Sequence, residues 1–242
     1  MIRGGGWTSR LSAGQGFFAP TPLTEETEAA GLSRLSIPVP LVAERGRSAS
    51  LDVTRSLGPA SFTTTLFASN IRHPIDVNRD VRYELINLSE PTNNVGVELL
   101  GAWRRKPFSI TGTYTYVRAR EFHDGRRVDA PLTPRHGFGI VGMWEKGGKW
   151  RIGVESYYTG RQRLEGNPYR SASEPYAVFG FLGERKLGPV RLFINAENLN
   201  DIRQTRWNPL LRPDRGVDGR WTVDAWAPLD GRVFNGGIRF AF

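Results

Sequence analysis

Apolar and polar residues alternate along most of this chain, as they do in β-strands whose two faces meet different surroundings. In residues 150–158, for example, Ile152 and Val154 share one face, and Arg151 and Glu155 share the other. The alternation predicts about ten strands. They are Trp7–Gly16, Arg47–Ser56, Ser61–His73, Arg82–Arg104 (with a break near Pro91 as the alternative), Phe108–Arg118, Arg135–Glu145, Trp150–Thr159, Pro175–Arg185, Val190–Asn198 and Arg232–Phe242.

Short and long connections between these strands follow each other in turn along the chain. Short turns carry glycine and proline, because Gly accepts positive φ and Pro presets a turn. They lie at 57–59, 105–107, 146–149 and 186–189, and long polar loops lie at 17–46, 74–81, 119–134, 160–174 and 199–231. An up-and-down meander gives this order, with short turns at one rim and long loops at the other, as in outer-membrane barrels. A Greek-key sandwich has no reason to alternate so regularly.

The residues on the two faces of the strands also indicate whether lipid or water surrounds the sheet. Aromatic residues stand at strand ends on the apolar faces, as expected for the two aromatic girdles of a membrane barrel. Apolar and polar faces alone fit a soluble sandwich equally well, and the order of the loops favours the membrane. We therefore predict an all-β fold, an antiparallel up-and-down transmembrane β-barrel. The aromatic residues are Trp103, Phe108, Trp144, Trp150, Tyr158 and Phe242.

Composition supports a β fold and excludes some kinds of site and partner. The 242 residues include 28 Gly and 16 Pro, which disfavour helices, and no apolar run approaches the length of a membrane helix. The absence of cysteine excludes disulfides and thiolate metal sites. The net charge is +9, but the arginines are dispersed, so we expect no nucleic-acid partner. Basic loops suit lipopolysaccharide phosphates or an anionic ligand.

Catalytic motifs are not found in the sequence, and we predict no enzyme activity, no catalytic residues, no metal site and no cofactor. His123 lies in the sequence Glu121-Phe122-His123-Asp124, which we interpret as a solvated turn rather than a metal site. We expect His136, at the start of a strand, to form a hydrogen bond at the barrel rim. The segment 199–230 is richer in arginine and tryptophan, which suit an anionic, partly aromatic ligand. An equal alternative is that the tryptophans pack the loop on the rim and the arginines bind lipopolysaccharide. The candidate residues are Arg203, Arg206, Trp207, Arg212, Arg215, Arg220, Trp221 and Trp226.

Several segments, taken in order, resemble the C-terminal half of TonB-dependent outer-membrane receptors. Each motif is weak alone, but the order and spacing extend over nearly the whole chain. The matching segments are Gly16-Phe17-Phe18-Ala19-Pro20, Asn87 with Gly96-Val97-Glu98, Thr113–Val117, Pro131-Leu132-Thr133-Pro134-Arg135-His136, Asn195-Ala196-Glu197-Asn198-Leu199-Asn200-Asp201, and Gly231-Arg232 with the terminal Phe242.

The resemblance implies a receptor in the outer membrane of a Gram-negative bacterium that imports a large scarce solute such as a ferric siderophore or a cobalamin. Such barrels have about 22 strands, so residues 1–242 would be a partial C-terminal barrel domain with about the last ten. The signal peptide, TonB box, plug and first strands would lie upstream. Implied partners are outer-membrane lipid and lipopolysaccharide, the plug and remaining strands, and TonB through the missing N-terminal part. Ile238, Phe240 and Phe242 would form the assembly signal.

Two alternatives from other classes stay open at this point. One is a complete ten-stranded outer-membrane barrel enzyme, such as a protease, for which His123, Asp124 and Asp129 are the candidate residues. The other is a soluble β-sandwich that binds sugar on exposed tryptophans.

Overall fold

The computed structural model describes residues 1–21, 35–78, 83–123, 125–216 and 219–240. Within these ranges the chain is built of strands and loops, with one 3-10 helix at Gln204–Arg206. No helix among the described residues is long and apolar enough to cross a lipid bilayer. The strands are β1 (Ile2–Gly4), β2 (Trp7–Phe18), β3 (Leu35–Ser36), β4 (Glu44–Leu57), β5 (Ala60–Arg72), β6 (Ile75–Asn78), β7 (Tyr83–Asn87), β8 (Thr92–Arg105), β9 (Phe108–His123), β10 (Arg126–Asp129), β11 (His136–Lys146), β12 (Trp150–Thr159), β13 (Tyr176–Leu187), β14 (Val190–Glu197), β15 (Leu211–Arg215), β16 (Trp221–Val223) and β17 (Val233–Phe240).

One large antiparallel sheet contains most of the strands, and its order follows the chain. Neighbours run β1-β2-β4-β5-β8-β9-β11-β12-β13-β14-β17, and β10 adds to the far end of β9. The ten predicted strands correspond to β2 through β17 of this path, joined by the predicted short turns and long loops. The sheet is open, because no described residues pair β1 with β17. The all-β, up-and-down prediction is confirmed.

The predicted segment Arg82–Arg104 is not one strand, and the alternative of a break near Pro91 is confirmed. The chain breaks after Asn87, and β8 starts at Thr92, immediately after Pro91, which lacks the N–H a central strand donates. Strand β7 instead pairs with β3 and β6 in a separate small sheet, where Leu85 is completely buried. The described parts of this connection, residues 73–78 and 83–91, therefore reach beyond the loop predicted at 74–81 and contain two strands of the small sheet.

The loop predicted at 119–134 is also shorter than expected. Strand β9 continues to His123 and folds back as β10, with Arg120 opposite Asp129 and His123 opposite Arg126. This hairpin extends beyond β11, which pairs with β9 only as far as Tyr116. The described part of the segment is therefore mostly strand.

Cross-strand register places the apolar and polar residues of the large sheet on opposite faces. Leu51, Leu66 and Val97 are aligned across β4, β5 and β8, and the next residues, Asp52 and Thr65, are aligned on the other face. Thr65 Oγ1 donates a hydrogen bond to Asp52 Oδ1 at 2.8 Å. We call the apolar side the outer face and the polar side the inner face.

Aromatic residues lie on the outer face at the ends of the strands, as predicted. Trp103 and Phe108 adjoin the β8–β9 turn, and Phe108 pairs with Trp144 of β11. At the same rim, the guanidinium of Arg185 lies 4.5 Å from the ring centroid of Trp150. Tyr158 lies near the opposite end of its strand, and Phe242 falls outside the described residues.

Fully buried side chains are found mainly in the long loops rather than in the large sheet. Gln204 and Ser173 are almost completely inaccessible, whereas Leu11, Leu66 and Phe240 on the outer face are largely exposed. The loop residues that share this burial are Gln162, Leu164, Ser173, Asn198, Gln204, Asn208 and Trp226.

Candidate functional site

The long loop between β14 and β17 is closed at its base by Asn198. This residue has φ 49°, a left-handed conformation that asparagine tolerates. Its Nδ2 donates to the carbonyls of Ile202 and Asp230 at 2.7 and 3.0 Å, and its Oδ1 accepts from the Ile202 N–H at 2.8 Å. One buried amide therefore binds both ends of a loop of about thirty residues, which closes it at the strand ends.

Asp201, three residues on, holds two of the predicted loop arginines. Arg203 donates to Oδ1 from Nε at 2.9 Å and from Nη2 at 2.7 Å, and Arg206 donates to Oδ2 at 2.9 Å. These hydrogen bonds, with that of Arg203 the larger cause, hold the pKa of Asp201 below its ordinary value of 3.8. A Cβ on Gly231 would come within 2.3 Å of Asp201 Oδ1 and 2.4 Å of Arg203 Nη2, so a larger residue there would have to displace this ion pair.

Gln204 is the centre of the buried loop cluster. It has no exposed surface, and its Oε1 accepts from the backbone N–H groups of Trp226 and Ala227 at 2.7 and 3.3 Å. Its Nε2 donates to the carbonyl of Asp224. From the neighbouring loop, Gln162 Nε2 donates to the Trp226 carbonyl at 3.2 Å. The two loops after β12 and β14 are therefore joined by amide hydrogen bonds, and we call this unit the rim cluster (residues 160–175 and 198–232).

Two of the predicted tryptophans pack inside the rim cluster. The rings of Trp207 and Trp226 are 5.3 Å apart, and Tyr176 lies 6.4 Å from Trp207. The guanidinium of Arg170 lies 5.6 Å from the Trp226 ring and donates to Glu174 Oε1 at 3.0 Å. Trp226 is only 4% exposed, so these aromatic rings support the loop from within.

The hairpin of β15 and β16 carries the remaining predicted residues to the surface. Arg215 lies 4.3 Å from the centroid of the Trp221 ring and donates to the Gly219 carbonyl at 2.8 Å. Trp221 is 55% exposed, and Arg220 beside it is also exposed. Arg212, at the base, is held by Asp224 at 3.3 Å. The structure therefore separates the predicted set into members that support the loop and members that face outward.

The predicted assembly signal lies on the last strand. Ile238 and Phe240 of β17 share the outer face, opposite Leu192 and Val190 of β14, and both are largely exposed. Phe242 lies outside the described residues.

Charged groups also gather where β9 extends beyond β11. Burial, followed by the nearby Glu165, raises the pKa of Glu121, and Arg163, 3.1 Å away, opposes this shift. His123 Nδ1 lies 3.4 Å from Glu165 Oε1. The described residues contain no cluster of three or more His, Cys, Asp or Glu side chains suited to a metal ion.

Of the residues considered for a protease, the structure describes His123 and Asp129, and each lies against another charged side chain. Asp129 is paired with Arg135 at 2.7 Å and lies 4.0 Å from Arg120, so its carboxylate is already bound. Asp124 lies outside the described residues. His136 forms the expected rim hydrogen bond, with Tyr114 Oη 2.8 Å from its Nδ1.

The polar residues that build the rim cluster carry no signal in the sequence that predicts their burial. Gln162, Ser173 and Asn208 are all buried, and Ser173 N–H and Oγ both bond the backbone of Gln162. Such residues are ordinary in exposed loops, and no periodicity distinguishes the buried ones. The sequence motifs that contain Asn198 and Gly231 were identified, but the hydrogen bond from the Asn198 side chain to the Gly231 carbonyl, 33 residues away, was not predicted.

Comparison with known proteins decides the family. A family model described as TonB dependent receptor-like, beta-barrel, matches residues 5–199. The chain belongs to this family. A comparison with curated proteins found no match. TonB-dependent receptors are outer-membrane proteins of Gram-negative bacteria with a plug and a barrel, and they are transport receptors rather than enzymes. The soluble sandwich alternative is therefore excluded, and in outer-membrane barrels the long loops lie on the extracellular side.

Solved structures show the same fold at low identity. The FrpB iron transporter from Neisseria meningitidis (F3-3 variant) has a TM-score of 0.67 at 16% identity, over 97% of this chain and 36% of that chain. The copper transporter OprC has 0.71 at 14%, over 98% and 37%. The ferric-catecholate import receptor Fiu from Escherichia coli K12 has 0.58 at 16%, over 82% and 28%. The chain thus spans about a third of the length of these proteins.

Proposed function

We propose that this chain forms the C-terminal barrel wall and extracellular loops of a receptor that imports a large scarce solute, such as a ferric siderophore or a cobalamin. The family match over residues 5–199 is the observation that carries the proposal. Residues 1–242 would form one partial barrel domain. The plug, the other strands and the contact with TonB, which supplies the energy for import, would come from parts of the receptor outside this chain.

The ligand class we favour is an anionic, partly aromatic metal chelate. Support comes from the β15–β16 hairpin, which exposes Arg215 stacked on Trp221 with Arg220 beside them. A guanidinium offers charge-assisted hydrogen bonds to anionic oxygens, and an indole offers a flat surface to an aromatic ring. Among the relatives, FrpB is described as an iron transporter and Fiu as a ferric-catecholate import receptor, whereas OprC is described as a copper transporter.

The other predicted loop residues are proposed to hold this hairpin in place. Arg203 and Arg206 share the carboxylate of Asp201, and Arg212 is paired with Asp224, so all three guanidinium groups are already engaged within the loop. Trp207 and Trp226 fill the rim cluster below. A preordered loop loses less conformational entropy on binding than a mobile one, which favours affinity.

The proposed partners on the membrane side are lipid and lipopolysaccharide. Ile238 and Phe240, on the outer face of the last strand, are proposed to be read with Phe242 during barrel assembly. The exposed apolar rows of the outer face would contact lipid chains.

The test of the ligand proposal is a double variant of the hairpin, Arg215→Gln with Trp221→Ala, in outer membranes that contain the receptor. Its affinity for iron-loaded catecholate chelates should fall about fivefold or more, since exposed cation–π and charged contacts contribute roughly 1 kcal/mol. Binding of radiolabelled ferric catecholate, ferric hydroxamate and cobalamin would be measured.

The matched control is Arg185→Gln with Trp150→Ala, which removes the same kind of stacked pair at the opposite rim. That variant should keep wild-type affinity. Equal loss in both variants would mean that the hairpin acts only through barrel stability. Unchanged binding of every solute by the hairpin variant would remove the hairpin from the proposed site.

A further inference from the structure

Three segments of the chain bring charged side chains together where the β9–β10 hairpin extends beyond β11. Register places Glu121 and His123 of β9 on the inner face of this hairpin, and Arg126 of β10 lies directly opposite His123. The loop after β12 adds Arg163, 3.1 Å from Glu121 Oε1, and Glu165, whose Oε1 lies 3.4 Å from His123 Nδ1. The third segment, β6, contributes a carboxylate close enough to act on Glu121. We define the charged junction as Asp76, Glu121, His123, Arg126, Arg163 and Glu165.

Arg163 attaches the loop after β12 to the hairpin and to the segment that follows it. Its Nη1 donates to Glu121 Oε1 and also to the Asp129 carbonyl, at 3.1 and 3.2 Å. Its own carbonyl accepts from the Leu132 N–H at 3.0 Å. The exchange of the Leu132 amide hydrogen therefore reports whether this loop is docked, because the hydrogen bond joins the two segments.

The charges of the junction balance only when His123 carries a proton. Among the described residues, the carboxylates of Asp76, Glu121 and Glu165 face two guanidinium groups, those of the junction arginines. One negative charge is left over while the imidazole is neutral. Histidine is the side chain whose charge ordinarily changes between about pH 5 and pH 8, so mild acid supplies the missing positive charge.

Arg126 is the one described group of the hairpin that opposes a proton on His123. It lies across the strand pair, where like charges repel, but its side chain is exposed and solvent screens it. Glu165 is in direct contact with the imidazole, and Glu121 lies two residues away on the same face. The nearer negative charges therefore favour the protonated ring.

Glu121 responds to acid in the same direction. Burial is the main cause that raises its pKa from the ordinary value of 4.5, Glu165 and then Asp76 add to it, and Arg163 opposes it. A carboxyl whose pKa is raised in the docked junction takes up a proton more readily there than in a free loop. By linkage, docking becomes more favourable as the pH falls toward that raised value.

We propose that the charged junction is a pH-sensitive latch that fastens the loop after β12 to the β9–β10 hairpin in mildly acidic surroundings. There His123 is protonated and forms an ion pair with Glu165. At neutral and alkaline pH the imidazole is neutral, the excess of carboxylates repels, and the loop detaches more often. The long loops of outer-membrane barrels lie on the extracellular side, so the latch responds to the pH of the medium.

The latch also reaches the β15–β16 hairpin. Arg212 Nη2 donates to the Glu165 carbonyl at 3.2 Å and lies 3.3 Å from Asp224 Oδ2, to which Asn167 of the same loop also donates. Docking of the loop therefore restrains the base of this hairpin. An effect of pH on chelate affinity would rest on the proposed function, whereas the latch itself does not.

The first experiment follows hydrogen exchange in residues 131–134 of the receptor in lipid vesicles. Pro131 and Pro134 lack an N–H, so only Leu132 and Thr133 contribute. The exchange rate is divided by that of an unstructured chain at the same pH, which gives a protection factor. Between about pH 7.5 and about pH 5.5 we expect this factor to rise about threefold or more, as one partly exposed ion pair forms. A constant factor would overturn the proposal.

Two substitutions of His123 test whether this residue is the sensor. His123→Gln cannot take up a proton, so it should lose most of the rise and keep the protection seen at neutral pH. His123→Arg carries a permanent charge and should be protected at both pH values. The matched control is His136→Gln, another rim histidine, which lies on the outer face beside Tyr114 and should retain the rise. A full rise in His123→Gln, or its loss in the control, would contradict the assignment.

The second experiment uses only the wild type and varies the salt concentration. At about 1 M salt the screening length is about 3 Å, so the rise in protection should largely disappear. A rise that persists unchanged in salt would exclude the ion pair as its cause. Neither experiment requires a bound chelate, so a failure of the import proposal would leave the expected rise, and constant protection with normal chelate binding would overturn the latch alone.

Discussion

The strand wall and the rim cluster stabilise the same chain in opposite ways. In the wall, side chains alternate between two exposed faces, and Ile140 and Val154 on the outer face keep much of their surface free of protein contact. In the rim cluster, Gln204 and Trp226 are buried, Gln204 accepts from the backbone N–H of Trp226 within the same loop, and Gln162 of the neighbouring loop donates to the Trp226 carbonyl. The wall has few buried side chains of its own, whereas the loops form a buried interior.

Because of this difference, we expect different kinds of substitution to destabilise the two regions. The effect of substituting a wall residue on stability depends mainly on the face where the residue lies, because in a membrane barrel one face meets hydrocarbon and the other meets the polar interior. The effect of substituting a residue of the rim cluster depends on its individual hydrogen bonds, since a buried polar group without a partner lowers stability.

The largest effect is expected for a charge placed on the lipid side of the wall. Ile140→Arg should destabilise the folded protein by about 2–4 kcal/mol, the cost of Arg near the membrane midplane. Val141→Arg, one residue on, points to the inner face, where Glu155 is the cross-strand neighbour, and should cost much less. Urea unfolding in lipid vesicles, followed by tryptophan fluorescence, measures both. Equal destabilisation by the two substitutions would contradict the assignment of faces.

A smaller but still large loss is expected for Gln204→Leu in the rim cluster. The leucine leaves the N–H groups of Trp226 and Ala227 without their acceptor, which should cost about 2 kcal/mol of loop stability. Hydrogen exchange of residues 224–228 should accelerate while exchange in β11 and β12 stays unchanged. Thr205→Ala, on the adjacent exposed residue, is the control and should leave exchange as in wild type. Uniform acceleration throughout the wall would show that the two regions do not open independently.

The smallest effect is a pH dependence at the base of the same loop. Arg203 and Arg206 depress the pKa of Asp201, so the carboxylate stabilises the loop above its ordinary pKa of 3.8, and this contribution is lost as the pH falls through the lower folded value. Proteolysis at 201–206 by an acid protease should therefore increase below pH about 4. Asp201→Asn should be cleaved readily at every pH tested. Wild type with the same pH profile as the Asn variant would exclude this ion pair as the cause.

The structure explains why two residues of the sequence motifs are needed at their positions. In Gly96-Val97-Glu98, a Cβ on Gly96 would come within 2.4 Å of the Phe67 ring and 2.5 Å of the Tyr116 carbonyl, so only glycine fits where that ring crosses the strand. Asn87 binds the backbone of Val42 and His73 and joins two loops. Both residues were recognised as parts of a motif, but their partners lie on other strands and loops and were not predicted.

The prediction of one strand over Arg82–Arg104 failed for a related reason. Residues 83–87 include Tyr83, Leu85 and Ile86, which favour strands, and Leu85 has the hydrophobicity of an outer-face residue. In the fold Leu85 is completely buried in the small sheet of β3, β6 and β7. Period-two alternation predicts a strand but carries no information about which sheet it joins.

The sequence by itself determined the number of long strands, their faces, the order of short and long connections and the family. These properties depend on residue spacing, since alternation, turn residues and motif order are all local along the chain. Only the tertiary structure decided which loop arginines face outward, which are engaged by Asp201 and Asp224, and which loops share buried amides. Those outcomes depend on contacts between residues far apart in sequence, where any of many polar side chains has the same hydrogen-bonding capacity and only position in space selects the partner.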